Sequence, residues 1–115
     1  MKLLIVDDSE LLQSRLKKSI LEMDKSINIE QAYSVKQASE IFFSFIPCKI
    51  ILDIALPDGS GIDLLKKFKK EKPDTGVIIL TNFPTSEFKK KCLELGADHF
   101  YDKSNLSGLL KILAN

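Results

Sequence analysis

The chain is poor in the residues that build several common kinds of site. Its 115 residues include no tryptophan, one histidine and two cysteines, Cys48 and Cys92, which lie far apart. One histidine and two distant cysteines do not provide the spaced ligands of a tetrahedral zinc site. The first residues do not resemble a secretion signal, so both thiols are expected to be reduced and buried. These shortages argue against a zinc module and against a disulfide-stabilised secreted domain.

Long apolar runs and an excess of charge of one sign are also missing. Residues 1–6 form only a brief apolar run, and no later stretch approaches the roughly 18 apolar residues of a membrane span. Seventeen basic and sixteen acidic residues give a formal net charge of +1. Such a balance offers no electrostatic reason to bind nucleic acid or an anionic membrane. We therefore expect a cytoplasmic protein that has neither as a direct partner.

The apolar residues that are present fall into five short segments, separated by amphipathic helical patterns. Runs rich in Ile, Leu and Val at residues 2–6, 50–52 and 77–80 are typical of central strands in a parallel sheet. The alternating segment 27–30 and the weaker segment 99–101 suit the two edge strands. Each strand is followed by a helix whose start is marked by a polar capping residue, namely Ser9, Ser34, Ser60, Thr85, and Asn105 or Ser104.

Five such units in series predict an α/β fold. The expected architecture is a doubly wound, five-stranded parallel sheet of the flavodoxin-like (β/α)5 type, with strand order 2-1-3-4-5. A chain of 115 residues makes one domain of this kind. In an open sheet of this type, ligands bind beyond the carboxyl ends of the strands. The residues at those ends are therefore the candidates for function.

Three carboxylates follow the two strands expected to lie side by side at the centre. Asp7 and Asp8 end the first strand, and Asp53 ends the third. Carboxylates so close together repel each other unless a cation is present, and a hard divalent cation such as Mg²⁺ prefers oxygen ligands. One carboxylate of such a site can attack a phosphoryl donor. Thr81 and Lys103, at the ends of the fourth and fifth strands, could then hold the phosphoryl oxygens.

At these positions the sequence resembles the receiver domain of two-component response regulators. The matching segments are residues 4–8, 51–61, 79–81 and 96–103, which occur in the family's order over essentially the whole chain. An Asp-Asp pair or a single lysine is common in any protein. Four segments in order, each at a strand end, form a specific pattern.

The resemblance implies a phosphoryl-accepting site. Asp53 would be the phosphoacceptor, which takes the group from a phosphohistidine of a sensor histidine kinase or a phosphotransfer protein. Asp7, Asp8 and Asp53, together with the backbone carbonyl of Ala55, would hold Mg²⁺ or Mn²⁺. Ala55 and Phe83 would modulate the rate of dephosphorylation.

The resemblance also implies a switch. Thr81 and Lys103 would bind phosphoryl oxygens, and Phe100 would be the aromatic residue whose rotamer follows the threonine. The surface formed by the fourth helix, the fifth strand and the fifth helix would then change shape for a protein partner or for a second copy of the chain. We expect no enzyme activity beyond reaction with small phosphodonors and loss of the phosphoryl group. The whole chain, residues 1–115, is expected to be this domain without an output domain.

One departure from the family pattern follows the lysine. Proline is common there, after a cis bond, but this chain has Ser104. A cis bond before a residue other than proline costs about 2.5–4 kcal/mol. Either a trans bond with a rearranged loop or a strained cis bond is expected, and the cost favours trans.

Two other functions compete with this interpretation. A receiver-like protein could bind partners without being phosphorylated, although the complete residue set argues against it. A Mg²⁺-dependent phosphatase of the haloacid-dehalogenase type would need two alternating aspartates after the first strand and a cap over its substrate. Here Asp7 and Asp8 are adjacent, and 115 residues leave no room for a cap.

Overall fold

Five parallel strands form the central sheet, and five helices cover it. The computed structural model describes residues 1–114, and Asn115, the last residue of the predicted domain, lies outside the described residues. The strands of this sheet are β1 Lys2–Val6, β2 Asn28–Ala32, β3 Lys49–Leu52, β4 Gly76–Thr81 and β5 His99–Asp102. The helices are α1 Glu10–Met23, α2 Val35–Phe45, α3 Gly61–Glu71, α4 Ser86–Glu94 and α5 Leu106–Ala114.

The strand order is β2-β1-β3-β4-β5, with every neighbouring pair parallel. This confirms the predicted fold class and order. Two further short strands, Ala55–Leu56 and Gly59–Ser60, pair antiparallel as a hairpin outside the sheet. No sequence pattern predicted that hairpin, because two-residue strands leave no periodicity to detect.

Alternate residues of the strands enter two separate apolar cores, one on each face of the sheet. On one face, Leu4, Ile50 and Val77 join buried residues of α2, α3 and α4, among them Phe42 and Phe68. On the other face, strand residues pack against buried residues of α1 and α5, the strand members being Leu3, Ile5, Ile51, Ile78 and Leu80. Burial on both faces explains why these strands are continuous apolar runs.

The helix starts follow the predicted capping residues. In each of the first four helices a Ser or Thr side chain accepts a hydrogen bond from an amide of the first turn; the caps are Ser9, Ser34, Ser60 and Thr85. Before α5 the cap is Asn105, not Ser104, since Asn105 Oδ1 accepts from the Gly108 amide at 3.2 Å. Each such bond satisfies a donor that the helix itself leaves unpaired.

The two cysteines differ in exposure. Cys92 is buried as expected, but Cys48 is exposed, because it lies in the connection that precedes β3 and not within the strand.

Within residues 1–114, no helix is sufficiently long and apolar to cross a membrane.

Helix α2 ends in a strained backbone conformation. Ile46 has φ 51° and ψ 64°, and among residues 1–114 it alone has a positive φ without being glycine. A left-handed conformation costs an L-residue about 1–2 kcal/mol, because its Cβ approaches the following carbonyl oxygen. The Ile46 side chain is 53% exposed, so its burial recovers only part of this cost.

We expect Ile46→Gly to be more stable than Ile46→Ala by about 1 kcal/mol, because only alanine keeps the Cβ that the left-handed conformation disfavours. Urea unfolding of both variants measures the difference in the free energy of unfolding. Ser44 is the control position, because it is exposed inside α2. There, Ser44→Ala should be more stable than Ser44→Gly, since alanine favours a helix and glycine disfavours it. Equal stability of the two Ile46 variants would contradict the assigned strain.

Candidate functional site

The carboxyl ends of β1 and β3 bring three carboxylates together. The Asp53 amide donates to the Val6 carbonyl at 3.0 Å, which places Asp53 beside Asp7. One carboxylate oxygen from each of Asp7, Asp8 and Asp53 lies within 4.8 Å of the others. Asp7 and Asp53 are buried, whereas Asp8 is exposed. The predicted convergence of the three acids is confirmed.

Lys103 reaches into this acidic cluster from the end of β5. Its Nζ lies 2.8 Å from Asp7 Oδ2 and 3.0 Å from Asp53 Oδ2. Burial raises the pKa of Asp53, and the hydrogen bond from Lys103 offsets part of that rise. Burial alone would lower the pKa of Lys103, but its hydrogen bonds to the two carboxylates raise it above the ordinary value. The lysine is therefore a protonated counter-ion to both buried acids.

The loop after Lys103 keeps this lysine in place without a proline. Every peptide bond within residues 1–114 is trans, so the expectation of a trans bond before Ser104 is confirmed. The Ser104 amide donates to Asp102 Oδ1 at 2.9 Å, and the Lys103 amide donates to the Thr81 carbonyl at 2.9 Å. These two bonds fix the turn on either side of the lysine.

Thr81, the last residue of β4, is fully buried next to this turn. Its Oγ1 accepts a hydrogen bond from the Phe83 amide at 2.9 Å, which sets the present direction of the hydroxyl. The Phe83 side chain itself is 52% exposed. Phe100 lies opposite Ile79 in the sheet and packs, half-buried, against the core on the α3 side. It therefore sits behind the acidic cluster and not among the carboxylates.

A short hairpin beyond Asp53 completes the rim of the site. The exposed Ala55 begins it, and the Ala55 amide donates to Asp53 Oδ1 over a long 3.4 Å. At the turn, the carboxylate of Asp58 accepts from the amides of Val35 at 2.7 Å and Lys36 at 3.0 Å. The first of these bonds is the main reason why the pKa of Asp58 is lowered. The hairpin is thus attached to the start of α2.

The donor set fits a divalent cation. Three carboxylates from Asp7, Asp8 and Asp53 offer oxygens within 4.8 Å of one another, and among residues 1–114 a single lysine, Lys103, forms ion pairs with this cluster. Mg²⁺ requires one or two protein carboxylates and keeps several waters, which the exposed side of Asp8 leaves room for. The predicted backbone ligand, the Ala55 carbonyl, belongs to the hairpin that follows Asp53.

Comparison with known proteins agrees with this arrangement. A family model for the response regulator receiver domain matches residues 3–114. The transcriptional regulatory protein YdfI of Bacillus subtilis (strain 168) is 34% identical over 109 residues, which are 95% of this chain and 51% of YdfI. The chain spans about half the length of the curated relatives that it matches first.

Solved structures with the same fold include two response regulators. The signal receiver domain of a DNA-binding response regulator protein (merR) from Colwellia psychrerythraea 34H has a TM-score of 0.94 at 21% identity, over 98% of this chain and 94% of its own. A response regulator from Burkholderia pseudomallei, solved with a phosphorylated aspartic acid, a calcium ion and citrate, has a TM-score of 0.87 at 22% identity, over 97% of this chain and 65% of its own. At these identities the likeness establishes the fold alone.

The start of α3 presses against the backbone of Asp53. The Gly61 amide donates to the Ile54 carbonyl at 2.6 Å, and a Cβ at Gly61 would overlap the Asp53 carbonyl oxygen. Backbone atoms cannot rotate away as a flexible side chain can. Glycine is therefore required at this position for the backbone of Asp53 to keep its place.

We expect Gly61→Ala to shift the backbone amide NMR signals of Asp53 and Ile54 and to lower the free energy of unfolding by about 1–3 kcal/mol, as overpacking usually does. Gly59→Ala is the matched control, because a Cβ at Gly59 would meet only the Val35 side chain, at 3.2 Å. Equal effects of the two substitutions would rule out the close approach as the cause.

Proposed function

The chain belongs to the response regulator receiver domain family, and we propose that it accepts a phosphoryl group on Asp53. The donor is the phosphohistidine of a sensor histidine kinase or of a phosphotransfer protein. One observation carries the choice of residue: Asp53 is buried among charged partners, yet only its Oδ2 is tightly held, by Lys103 at 3.0 Å. Its Oδ1 has just the long contact with the Ala55 amide and is therefore the oxygen available for attack.

The transfer is a simple displacement. Asp53 Oδ1 forms a bond to phosphorus while the phosphorus–nitrogen bond of the donor histidine breaks. The imidazole leaves with the electron pair and takes up a proton. Lys103, already next to Asp53, then pairs with an oxygen of the new phosphoryl group, as charge-assisted hydrogen bonds favour.

We assign the metal to Asp7, Asp8, Asp53 and the Ala55 carbonyl, with Mg²⁺ as the resident ion and Mn²⁺ as its substitute. When bound, the ion offsets negative charge on the carboxylates and the phosphoryl oxygens. Asp8 is the exposed member of the three and can bind the ion directly. The structural neighbour from Burkholderia pseudomallei was solved with both a phosphorylated aspartic acid and a calcium ion, which is compatible with a divalent ion in this fold.

Phosphorylation changes the charge of the site and so moves its neighbours. The new group adds roughly −1.5 to −2 charges. The Thr81 hydroxyl turns towards it, and Phe100 moves into the space that the threonine leaves. The surface of α4, β5 and α5 then differs between the two states, and a partner shifts the equilibrium by binding one state better. We place a protein, or a second copy of this chain, on that surface.

Two earlier expectations stay predictions. The chain is proposed not to turn over an outside substrate, because the acidic cluster lies at an open rim with no capping segment among residues 1–114. A cytoplasmic location is likewise an expectation from the sequence. The matched relatives are about twice as long, and several are named as transcriptional regulators.

Intact-mass measurement tests the phosphoacceptor. Incubation with Mg²⁺ and a small phosphodonor should add one phosphoryl group to the wild type and none to Asp53→Asn. Asp58→Asn is the matched control and should still be modified, because Asp58 is bound to α2 outside the acidic cluster. An unmodified wild type that also fails to bind Mg²⁺ would favour a phosphorylation-independent interaction protein. Continuous turnover of a phosphate ester would favour a phosphatase.

Phe83 and Ala55 are proposed to control how long the phosphoryl group persists. The Phe83 amide donates to Thr81, which fixes the backbone of Phe83 next to that threonine, and its side chain is exposed there. We propose that this ring limits the approach of water to the phosphoryl group. We expect Phe83→Ala to shorten the lifetime of the acyl phosphate several-fold, measured as loss of the added mass over time. Phe43→Ala, which removes a similarly exposed ring from α2, should leave the lifetime unchanged. An unaltered lifetime in Phe83→Ala would overturn the shielding role.

A further inference from the structure

A buried amide from α1 lies directly beneath the acidic cluster. Gln13 has no exposed surface and is one of five buried polar residues among residues 1–114, the others being Asp7, Asp53, Thr75 and Thr81. Three of those four belong to the proposed site. Gln13 takes no part in the phosphoryl chemistry described above, so its burial needs another explanation.

Three backbone carbonyls surround the amide nitrogen of Gln13. Nε2 lies 3.0 Å from Ile5 O, 3.1 Å from Asp7 O and 2.9 Å from Ala32 O, and its two hydrogens are shared among these three acceptors. Its oxygen accepts from Gln31 Nε2 at 3.1 Å. The opposite orientation of the amide would place an oxygen against three carbonyl oxygens. The hydrogen-bond pattern therefore fixes which atom is the nitrogen.

These contacts hold the backbone on both sides of Asp7. The Asp7 amide donates to the Ala32 carbonyl at 3.0 Å, and this same carbonyl accepts from Gln13. The Asp7 carbonyl, on the other side, belongs to the peptide that joins Asp7 to Asp8. Because Gln13 binds that carbonyl, it restrains the plane of the peptide whose two flanking Cα atoms bear the carboxylates.

We propose that Gln13 is a positioning residue for the cation site. It fixes the peptide between Asp7 and Asp8, so that the buried and the exposed carboxylate face the same ion. The proposal rests on the function assigned above, in that the ion is the Mg²⁺ held by Asp7, Asp8 and Asp53. Gln13 touches neither ion nor phosphoryl group and acts through the backbone.

Gln13→Met tests the proposal, since methionine is similar in length but cannot donate a hydrogen bond. We expect Mg²⁺ affinity, measured by calorimetry on the folded protein, to fall about tenfold or more, the usual effect of losing a group that orients metal ligands. Ile20→Val is the control. Ile20 is equally buried in the same helix, but its side chain has no hydrogen-bonding group. It should keep the wild-type affinity.

A second measurement needs no metal. The amide of Asp7 donates to the Ala32 carbonyl and that of Ser9 donates to Asp7 Oδ1. Hydrogen exchange at these two amides in the metal-free protein should be faster in Gln13→Met and unchanged in Ile20→Val, relative to exchange in the centre of β3. Wild-type Mg²⁺ affinity together with unchanged exchange in Gln13→Met would overturn the proposal. If the wild type itself bound no Mg²⁺, the proposed metal site would fail, and exchange at the Asp7 amide would still decide the role of Gln13.

A second variant covers the case in which Gln13→Met does not fold. Gln31→Met keeps the donor to the three carbonyls but removes the amide that holds Gln13 Oε1, and Gln31 is only half-buried. We expect a smaller loss of Mg²⁺ affinity and a smaller increase in exchange at the Asp7 amide. No change in either quantity would count against the assigned network.

Discussion

The rest of the site depends on two buried carboxylates that share one lysine. Asp7 and Asp53 lie next to each other because parallel strands β1 and β3 end together, and two buried carboxylates side by side are costly unless a positive charge accompanies them. Lys103 satisfies both, from a strand that is two places away from β3 in the sheet. An ion or phosphoryl group that binds here must therefore compete with the ion pairs that Lys103 already forms with both carboxylates.

The surroundings of the acids are correspondingly rigid. Gln13 holds the backbone of Asp7 from below, and Gly61 allows α3 to press against Asp53. Thr81 is buried like Asp7 and Asp53, whereas Phe83, in the segment before α4, is exposed. The site thus combines a buried acidic floor with an exposed rim.

The fold and the main site residues could be predicted because they depend on local patterns. Apolar runs mark the strands, and residues that follow such runs, such as Asp53 and Thr81, must lie at one edge of a parallel sheet. Gln13 could not be found this way, since its role comes from contact with Ala32, 19 residues away. The Asp58 contact spans 23 residues and follows no periodicity. The exposure of Cys48 likewise depends on where a loop turns, which composition does not determine.

The attachment of Asp58 to α2 has an electrostatic consequence. Its carboxylate accepts two amide hydrogens at a helix start, where the helix dipole is positive, so its charge is largely compensated there. A fourth acid close in sequence to Asp53 is thereby withdrawn from the acidic cluster. One ammonium faces the three carboxylates of the cluster, and Asp58 adds nothing to this imbalance because amides at the start of α2 already hold its carboxylate. The helix start thus keeps a further acid out of the charge balance of the proposed cation site.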